Sequence, residues 1–426
     1  MPPSLTGQIA ASATSFDRSI AVLGLLAFIS QVGVSIMLPL LPLYAVAVGA
    51  TPAEIGLMVG SFSVTATVGQ LAAGFLASRV PARRQMPIGQ AIYAAGNFLI
   101  ATTSTALPLI AFRAMAGLGG GMTIISERLY IARVTASDRL AFVNGVVSAA
   151  GSTGSVVGPL LGAVLATQTL QAPFIVVGCT ATIAGVAALL FLPSEHGREA
   201  PGSSVRVEAL PESLPESVEL MAPSEATSTE PTAEAHATRW SHAQPLLRLA
   251  LWSVAFNAAY GGWITTFSAY ATDDLGHRAS DVALFFAPFG AGAILLGPFL
   301  ARVADRTGRR RMVAFGTGLV LLNVVVLIAG LPLLAIFGSA LLAGGGLAAA
   351  QSSWFAMLGV ATDGGRRGRS FGVVSALSNL GVIAGTAVAS MAWTLVGVRE
   401  GLISSAAFLV LAAASLLLVP SDRRRS

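Results

Sequence analysis

The sequence predicts an all-α membrane protein of twelve spanning helices in two parallel, repeated six-helix halves. Three observations carry that prediction. The 426 residues are 54% hydrophobic and only 11% charged, whereas soluble domains carry about 25% charged residues. Apolar runs recur at lengths near the roughly 20 residues that a spanning helix requires. The chain also repeats itself: "GVVSA" at 145–149 returns at 372–376, and at the same spacing Gly154 matches Gly381, Gly158 matches Gly385, Glu54 matches Asp281 and Arg139 matches Arg366. "GGGMTIIS" at 119–126 likewise resembles "GGGLAAAQ" at 344–351.

The expected spans are 20–47, 53–78, 85–104, 107–131, 142–166, 172–192, 247–271, 280–303, 312–330, 333–360, 371–394 and 399–419. The connections between them alternate in charge. Arg79, Arg83 and Arg84 follow the second span, Arg133 and Arg139 the fourth, and Arg302, Arg306, Arg309, Arg310 and Arg311 surround the end of the eighth. Arg366, Arg367 and Arg369 follow the tenth, and Arg423, Arg424 and Arg425 close the sequence. The opposite connections carry only Arg278 and Arg399. Positively charged connections stay on the cytoplasmic side, which puts both termini there. Six spans per half is an even number, so both halves start on the same side and are related by an axis along the membrane normal.

The domain organisation follows. Residues 1–19 form a cytoplasmic segment without a cleavable signal pattern, 20–192 the first half, 246–419 the second half and 420–426 a basic tail. Residues 193–245 hold nine of the twenty acidic residues in Pro-, Ser- and Glu-rich stretches. That composition buries little apolar surface and reads as a disordered cytoplasmic linker, a tether or a partner-binding segment. All 25 strong bases are Arg, and their clustering at span ends makes them a topology signal, with no nucleic-acid partner implied. A single cysteine, Cys179, and four histidines in connections leave no pattern for a metal site, a cofactor or an intramembrane enzyme.

The stretch "NGVVSAAGSTGSVVGPLLGA" at 144–163 is uncharged and rich in glycine. Each interior Gly costs a water-exposed helix roughly 1 kcal/mol, but in lipid the backbone hydrogen bonds stay internal and Gly is tolerated. Gly154, Gly158 and Gly162 fall four apart on one face, the small-xxx-small spacing that admits a second helix closely. Pro159 removes one backbone hydrogen bond. Such a face suits a sliding contact between the halves or ordinary tight packing.

These features resemble the major facilitator superfamily. Gly145, Gly154, Gly158, Pro159 and Gly162 fit the family's antiporter motif, with Ala163 departing at its last position. "RAMAGLGGG" resembles the family's Arg-x-x-x-Gly motif, with Arg113 and Gly117 in place. The cytoplasmic gate motif is partial after the second span, where Gly74, Arg79 and Arg83 match but Ser78 stands for Asp and Pro81 for Gly. Its second copy is fuller: Asp305, Arg306, Gly308, Arg309 and Arg310 match, and Ala301 replaces the leading Gly. The resemblance implies the twelve-helix fold of that family and a non-enzymatic transporter in the cell membrane, working as a monomer on a small-molecule substrate. The antiporter motif implies exchange for protons.

Ionisable residues inside a span are functional candidates because each costs at least about 2.5–3.5 kcal/mol at the bilayer centre. Arg113 and Glu127 fall on one face of the fourth span, about 21 Å apart at 1.5 Å per residue, and are the proton-coupling candidates. Glu127 alternatively forms an ion pair near the cytoplasm. The first span lacks the acidic residue that many drug:proton antiporters carry there, and offers Gln31 and Ser35. The seventh span carries an aromatic stripe, Trp252, Phe256, Tyr260, Trp263, Phe267 and Tyr270, within about 80° of arc at 100° per residue. Phe285, Phe286 and Phe289 follow in the eighth. The stripe is either a packing face or a wall for an apolar substrate, with Gln31, Asn97, Asn257, Gln351 and Asn379 as hydrogen-bonding candidates. The expected function is a proton-coupled exporter of small, partly hydrophobic molecules, as in multidrug efflux. The alternatives are a carrier for a neutral sugar or metabolite and a non-transporting membrane sensor.

Overall fold

The computed structural model describes residues 5–77, 79–135, 140–193, 233–360 and 367–419, and every regular element among them is helical. The helices of the first half are α1 (Leu5–Met37), α2 (Leu41–Ala47), α3 (Pro52–Leu76), α4 (Ala82–Ala101), α5 (Ala106–Val134), α6 (Leu140–Ala166) and α7 (Ala172–Phe191). Those of the second are α8 (Ala233–Ala269), α9 (Ala279–Leu284), α10 (Phe286–Leu295), α11 (Gly297–Thr307), α12 (Arg309–Ile328), α13 (Leu333–Val360), α14 (Arg367–Leu395) and α15 (Val398–Ser415). A π-helical turn, Tyr270–Asp274, extends α8.

Each expected span falls on one helix or on a broken run. The first is split into α1 and α2 around Pro39, because a proline disfavours helical backbone in the residue before it. The eighth is divided into α9, α10 and α11, and bends by 46° between Leu295 and Gly297. Gly297 and Pro298 open α11, and Pro kinks a helix by removing a donor and crowding the preceding turn. Nine described helices are long and apolar enough to cross a membrane, ten if the bent pair is one span. The two other expected spans lie on α4 and α8, which are diluted by polar residues. Gln85, Asn97, Thr265 and Thr266 among these are fully buried, so the polar groups face protein and leave the lipid surface apolar.

Two boundaries differ from expectation. The first helix begins at Leu5 and α8 at Ala233, inside the segments read as an N-terminal extension and as the linker. Their Ala-rich stretches have high helix propensity. Residues 194–232 and 420–426 of the expected linker and tail lie outside the described residues.

The sequence repeat is also a structural one. A Cβ at Gly154 would stand 2.7 Å from the Phe28 carbonyl oxygen on α1, and one at Gly381 would stand 2.4 Å from the Val254 carbonyl oxygen on α8. Gly158 and Gly385 meet the same two helices one turn further on. Likewise Glu54 accepts from the Thr51 backbone N–H at 2.8 Å and Asp281 from the Arg278 N–H at 3.1 Å. Each carboxylate thus closes the N-terminus of its helix in the manner of a capping box. The glycine face of α6 therefore packs on α1 within its own half. It is not the surface that meets the other half, because close approach is decided by whichever helix is adjacent, and α1 is. The helix continues through Pro159.

Several of the described contacts between the halves lie toward the end away from the arginine-rich connections. A Cβ at Gly56 on α3 would fall 2.1 Å from Ser390 Oγ on α14. The Ser268 hydroxyl on α8 donates to the Pro39 carbonyl at 2.7 Å. The core of the second half also takes in Leu40, Leu43 and Ala163 of the first. Gly74 lies five turns beyond Gly56, on the same face at 3.6 residues per turn, yet no described atom comes within 4 Å of its Cβ position. Among the described residues, α3 and α14 meet at Gly56, beside Ser390 and Thr386, and again at Thr67, which Asn379 reaches.

Candidate functional site

Between the halves, a cavity of about 270 Å³ is lined by both of them. The first half contributes Gln31 and Ser35 from α1 and Ser152, Ser155 and Pro159 from α6. The second contributes Phe256, Tyr260, Trp263 and Phe267 from α8, Phe285, Phe286 and Phe289 around α10, and Asn323 from α12. No lining residue is charged. At the cavity's edge α10 and α6 approach closely, a Cβ at Gly290 standing 3.0 Å from the Ser155 carbonyl oxygen.

The aromatic side is a connected cluster. Trp263 stacks on Phe267 with ring centres 4.8 Å apart and reaches Phe286 at 5.3 Å. Phe267 meets Phe285 at 5.8 Å and Phe286 edge-on at 5.7 Å. Such tilted and offset pairs are each worth about 0.5–1.5 kcal/mol beyond burial, so the wall is preformed. Tyr260 is 41% exposed, and because it lines the cavity its ring is open to what enters there. The polar side is sparse: Gln31 donates to Ser35 at 3.2 Å and Asn323 to Ser339 at 2.9 Å.

The aromatic stripe of α8 thus divides. Phe256, Tyr260, Trp263 and Phe267 face the cavity, while its two ends are packing. Trp252 is buried, stacked on Phe256 at 5.1 Å and tilted against Trp354 at 5.7 Å, and its indole N–H donates to Thr317 at 3.1 Å. The Tyr270 hydroxyl donates to the Ile328 carbonyl at 3.1 Å. The other polar candidates sit elsewhere. Asn257 donates to the Ser253 carbonyl at 2.8 Å, Asn97 to the Tyr93 carbonyl at 2.8 Å, and Gln351 is exposed on α13. Asn379 bonds across to the other half, to Thr67. Asn323, Ser152 and Ser155 are the polar lining residues that sequence reasoning missed. The signal for Asn323 was available, a lone Asn within the apolar run "LVLLNVVVLI".

Arg113 and Glu127 share the unbroken helix α5. Arg113 is buried, its guanidinium carbon 3.9 Å from the centre of the Phe62 ring, and its Nη1 donates to Met37 Sδ at 3.4 Å. Glu127 is half-buried toward the arginine-rich end and makes no ion pair or hydrogen bond with a described residue. No close ion pair is formed among those residues, although Arg128, its exposed neighbour in sequence, acts on Glu127 electrostatically.

At the arginine-rich end, motif residues brace helix ends. Arg83 Nη2 donates to the Leu189 carbonyl in the last turn of α7 at 2.8 Å, and Arg133 does the same for Ala77 after α3 at 2.8 Å. Basic side chains at these ends satisfy carbonyls that the helix leaves open. Gly308 links α11 to α12 with φ of 100°, a backbone shape that glycine takes without strain, and Arg306, Arg309 and Arg310 flank it. Arg79 is exposed beside Gly74 at the end of α3. Ser78 and the side chain of Asp305 lie outside the described residues, as do the surroundings of Gly145.

The chain matches the Major Facilitator Superfamily profile over residues 23–288 and 249–426. It is 28% identical over 165 residues to the putative multidrug resistance protein MdtD of Cronobacter sakazakii, a match covering 39% of this chain and 35% of that one. It is 24% identical over 176 residues to the quinolone resistance protein NorA of Staphylococcus aureus, covering 41% of this chain and 45% of that one. The matched stretch thus spans less than half the length of either relative. Its fold is similar to that of the nucleoside transporter NupG, with a TM-score of 0.74 at 13% identity, over 94% of this chain and 99% of that one.

Proposed function

The chain belongs to the Major Facilitator Superfamily of membrane transporters, and from that premise we propose that it exports small, partly hydrophobic molecules by alternating access, in exchange for protons. It would do so as a monomer in the cell membrane, with both termini in the cytoplasm. The observation that carries the reading is the uncharged, aromatic-walled cavity shared between the halves. An apolar pocket with a few convergent polar groups is the usual form of a small-molecule site, and a site between two halves is the one that rocking exposes to either side. The names of MdtD and NorA, resistance proteins, add support for efflux.

Glu127 is the proposed proton carrier, and Arg113 shares its helix face. Glu127 is a half-buried carboxylate without a close ion pair among the described residues, placed toward the arginine-rich end of α5. A carrier for a neutral metabolite is the second reading. It is favoured by one observation, that the cavity's polar groups are amides and hydroxyls, Gln31, Ser35 and Asn323 among them.

The test is flux through the purified chain in lipid vesicles, with and without an imposed pH gradient, across aromatic drugs and neutral sugars. Gradient-driven movement of the aromatic compounds is the expected result. Movement of sugars alone would favour the second reading, and no flux of any compound would leave a sensor.

A further inference from the structure

Arg113 is the one charged side chain that is buried among the described residues, and its surroundings do not neutralise it. No described carboxylate pairs with it. Its contacts are the Phe62 ring, the Met37 sulfur and the Tyr93 side chain, and its Nε makes no hydrogen bond. A ring face and a thioether are weak partners for a guanidinium, which carries five N–H donors in a planar fork matched to a carboxylate. Beside it, on α4, the Tyr93 hydroxyl and Asn97 Oδ1 are also buried without a hydrogen bond. Tyr93 stands close to both Arg113 and Asn97, so these three polar groups have little but one another, which is unusual in a native interior, where nearly all buried polar atoms are well paired.

This cluster adjoins the cavity. Arg113 lies within electrostatic reach of Tyr93 and of Tyr260, and Tyr260 lines the cavity wall. Met37 precedes Leu38, another lining residue. Among the described residues the lining holds no Asp or Glu, and Arg113, in electrostatic reach of the lining residue Tyr260, pairs with no described carboxylate. Charges act strongly in a low-dielectric interior. A positively charged drug would find ring faces and a few neutral amide and hydroxyl oxygens, no carboxylate among the described lining residues, and repulsion from Arg113, whereas an anion would meet a guanidinium held only by weak partners.

We propose that the cavity takes organic anions, small aromatic carboxylates whose ring lies among Trp263, Phe267 and Phe286 and whose carboxylate is held past Tyr260 by Arg113. This rests on the reading of the cavity as the substrate site and narrows its substrate class. Bidentate pairing with a carboxylate is the geometry in which Arg is strongest. The substrate's charge would complete what the fold leaves open, so the site would discriminate by charge while the aromatic wall accepts varied rings.

Three probes with one ring system separate the possibilities: 2-naphthoate, its neutral carboxamide and the cationic 2-naphthylmethylammonium. Binding to the full chain in micelles is measured by titration calorimetry. The expected order is naphthoate tighter than the amide by about tenfold or more, with the ammonium weakest. In Arg113→Gln the gap between naphthoate and amide closes, while in Arg113→Lys part of it remains. If Arg113→Gln does not fold, the wild-type order and Arg113→Lys decide. Equal binding of all three probes, or tighter binding of the ammonium, overturns the anion proposal and leaves the cavity reading intact. Absence of binding by every probe, or binding unaltered by Trp263→Ala, overturns the cavity reading and this proposal with it.

Discussion

Asn379 on α14 donates a 2.7 Å hydrogen bond to Thr67 on α3, a side-chain bridge from the second half to the first. It lies on the face where Gly56 meets Ser390 and Thr386, and it gives the Asn379 amide a partner in the Thr67 hydroxyl, which itself donates to the Ser63 carbonyl at 3.0 Å. A bond of this kind contributes about 0.5–1.5 kcal/mol net and exists only while the two helices are together. Asn379→Ala is therefore expected to shift the balance between the two access states by roughly 2- to 10-fold away from the form described. Spin-label distances across the outer end, in a chain whose exposed Cys179 is first replaced by Ser, measure that balance. An unchanged distribution would mean the bridge contributes nothing to it.

Two glycines of α6 should respond oppositely to the same substitution. A Cβ at Gly158 meets Ser35 Cβ at 2.6 Å and the Val32 carbonyl oxygen at 2.8 Å, whereas one at Gly151 meets nothing within 4 Å. Backbone cannot yield as a side-chain tip can, so Gly158→Ala must move α1 or α6. Overpacking of this kind costs about 1–3 kcal/mol. Gly158→Ala is expected to lower the temperature at which the protein stays monodisperse, and Gly158→Leu to lower the yield of folded protein. Gly151→Ala should leave both unchanged. Equal effects at the two positions would count against the α1–α6 contact.

These two cases mark what could be read in advance. The spacing of Gly154, Gly158 and Gly162 announced a close helix contact, and their match at Gly381 and Gly385 announced that it would occur twice. Neither said which helix would be the partner, since that depends on how six helices are arranged around one another. The aromatic stripe of α8 was equally visible, but its division into cavity wall and packing ends depends on where α12, α13 and α10 lie. Arg113 stood out as a buried cation by its place in an apolar run. That it lacks a carboxylate partner among the described residues is a statement about α1, α3, α4 and α8 together, and no local pattern contains it. The breaks at Pro39 and at Gly297–Pro298, by contrast, follow from backbone chemistry that sequence alone displays.

The two copies of the gate motif are unequal, with Asp305 in one and Ser78 in the other. A carboxylate near a helix N-terminus gains roughly 0.3–1 kcal/mol from the aligned peptide dipoles, and a hydroxyl gains little. Asp305→Asn is expected to slow substrate flux in vesicles by several-fold, and Ser78→Ala to leave it near the original rate. Comparable losses from both would show that the two copies act alike despite their chemistry.

Glu127 carries the sharpest prediction about coupling. An exchanger needs a group that takes up and releases a proton as access switches, and a neutral amide in its place can do neither. Glu127→Gln is nearly isosteric, so the packing of α5 against its neighbours should survive. Two assays on the same vesicles separate coupling from transport. Accumulation against a concentration difference, driven by a pH gradient, requires the proton step, while counterflow of labelled for unlabelled substrate requires only that the loaded site alternate. The expected outcome is loss of gradient-driven accumulation with counterflow retained. Loss of both would mean that Glu127 supports the fold or the substrate site. Undiminished gradient-driven accumulation would remove it as the carrier. Asp281 is a poor substitute, because its carboxylate already holds the Arg278 N–H at the start of α9 and would have to break that cap in order to cycle.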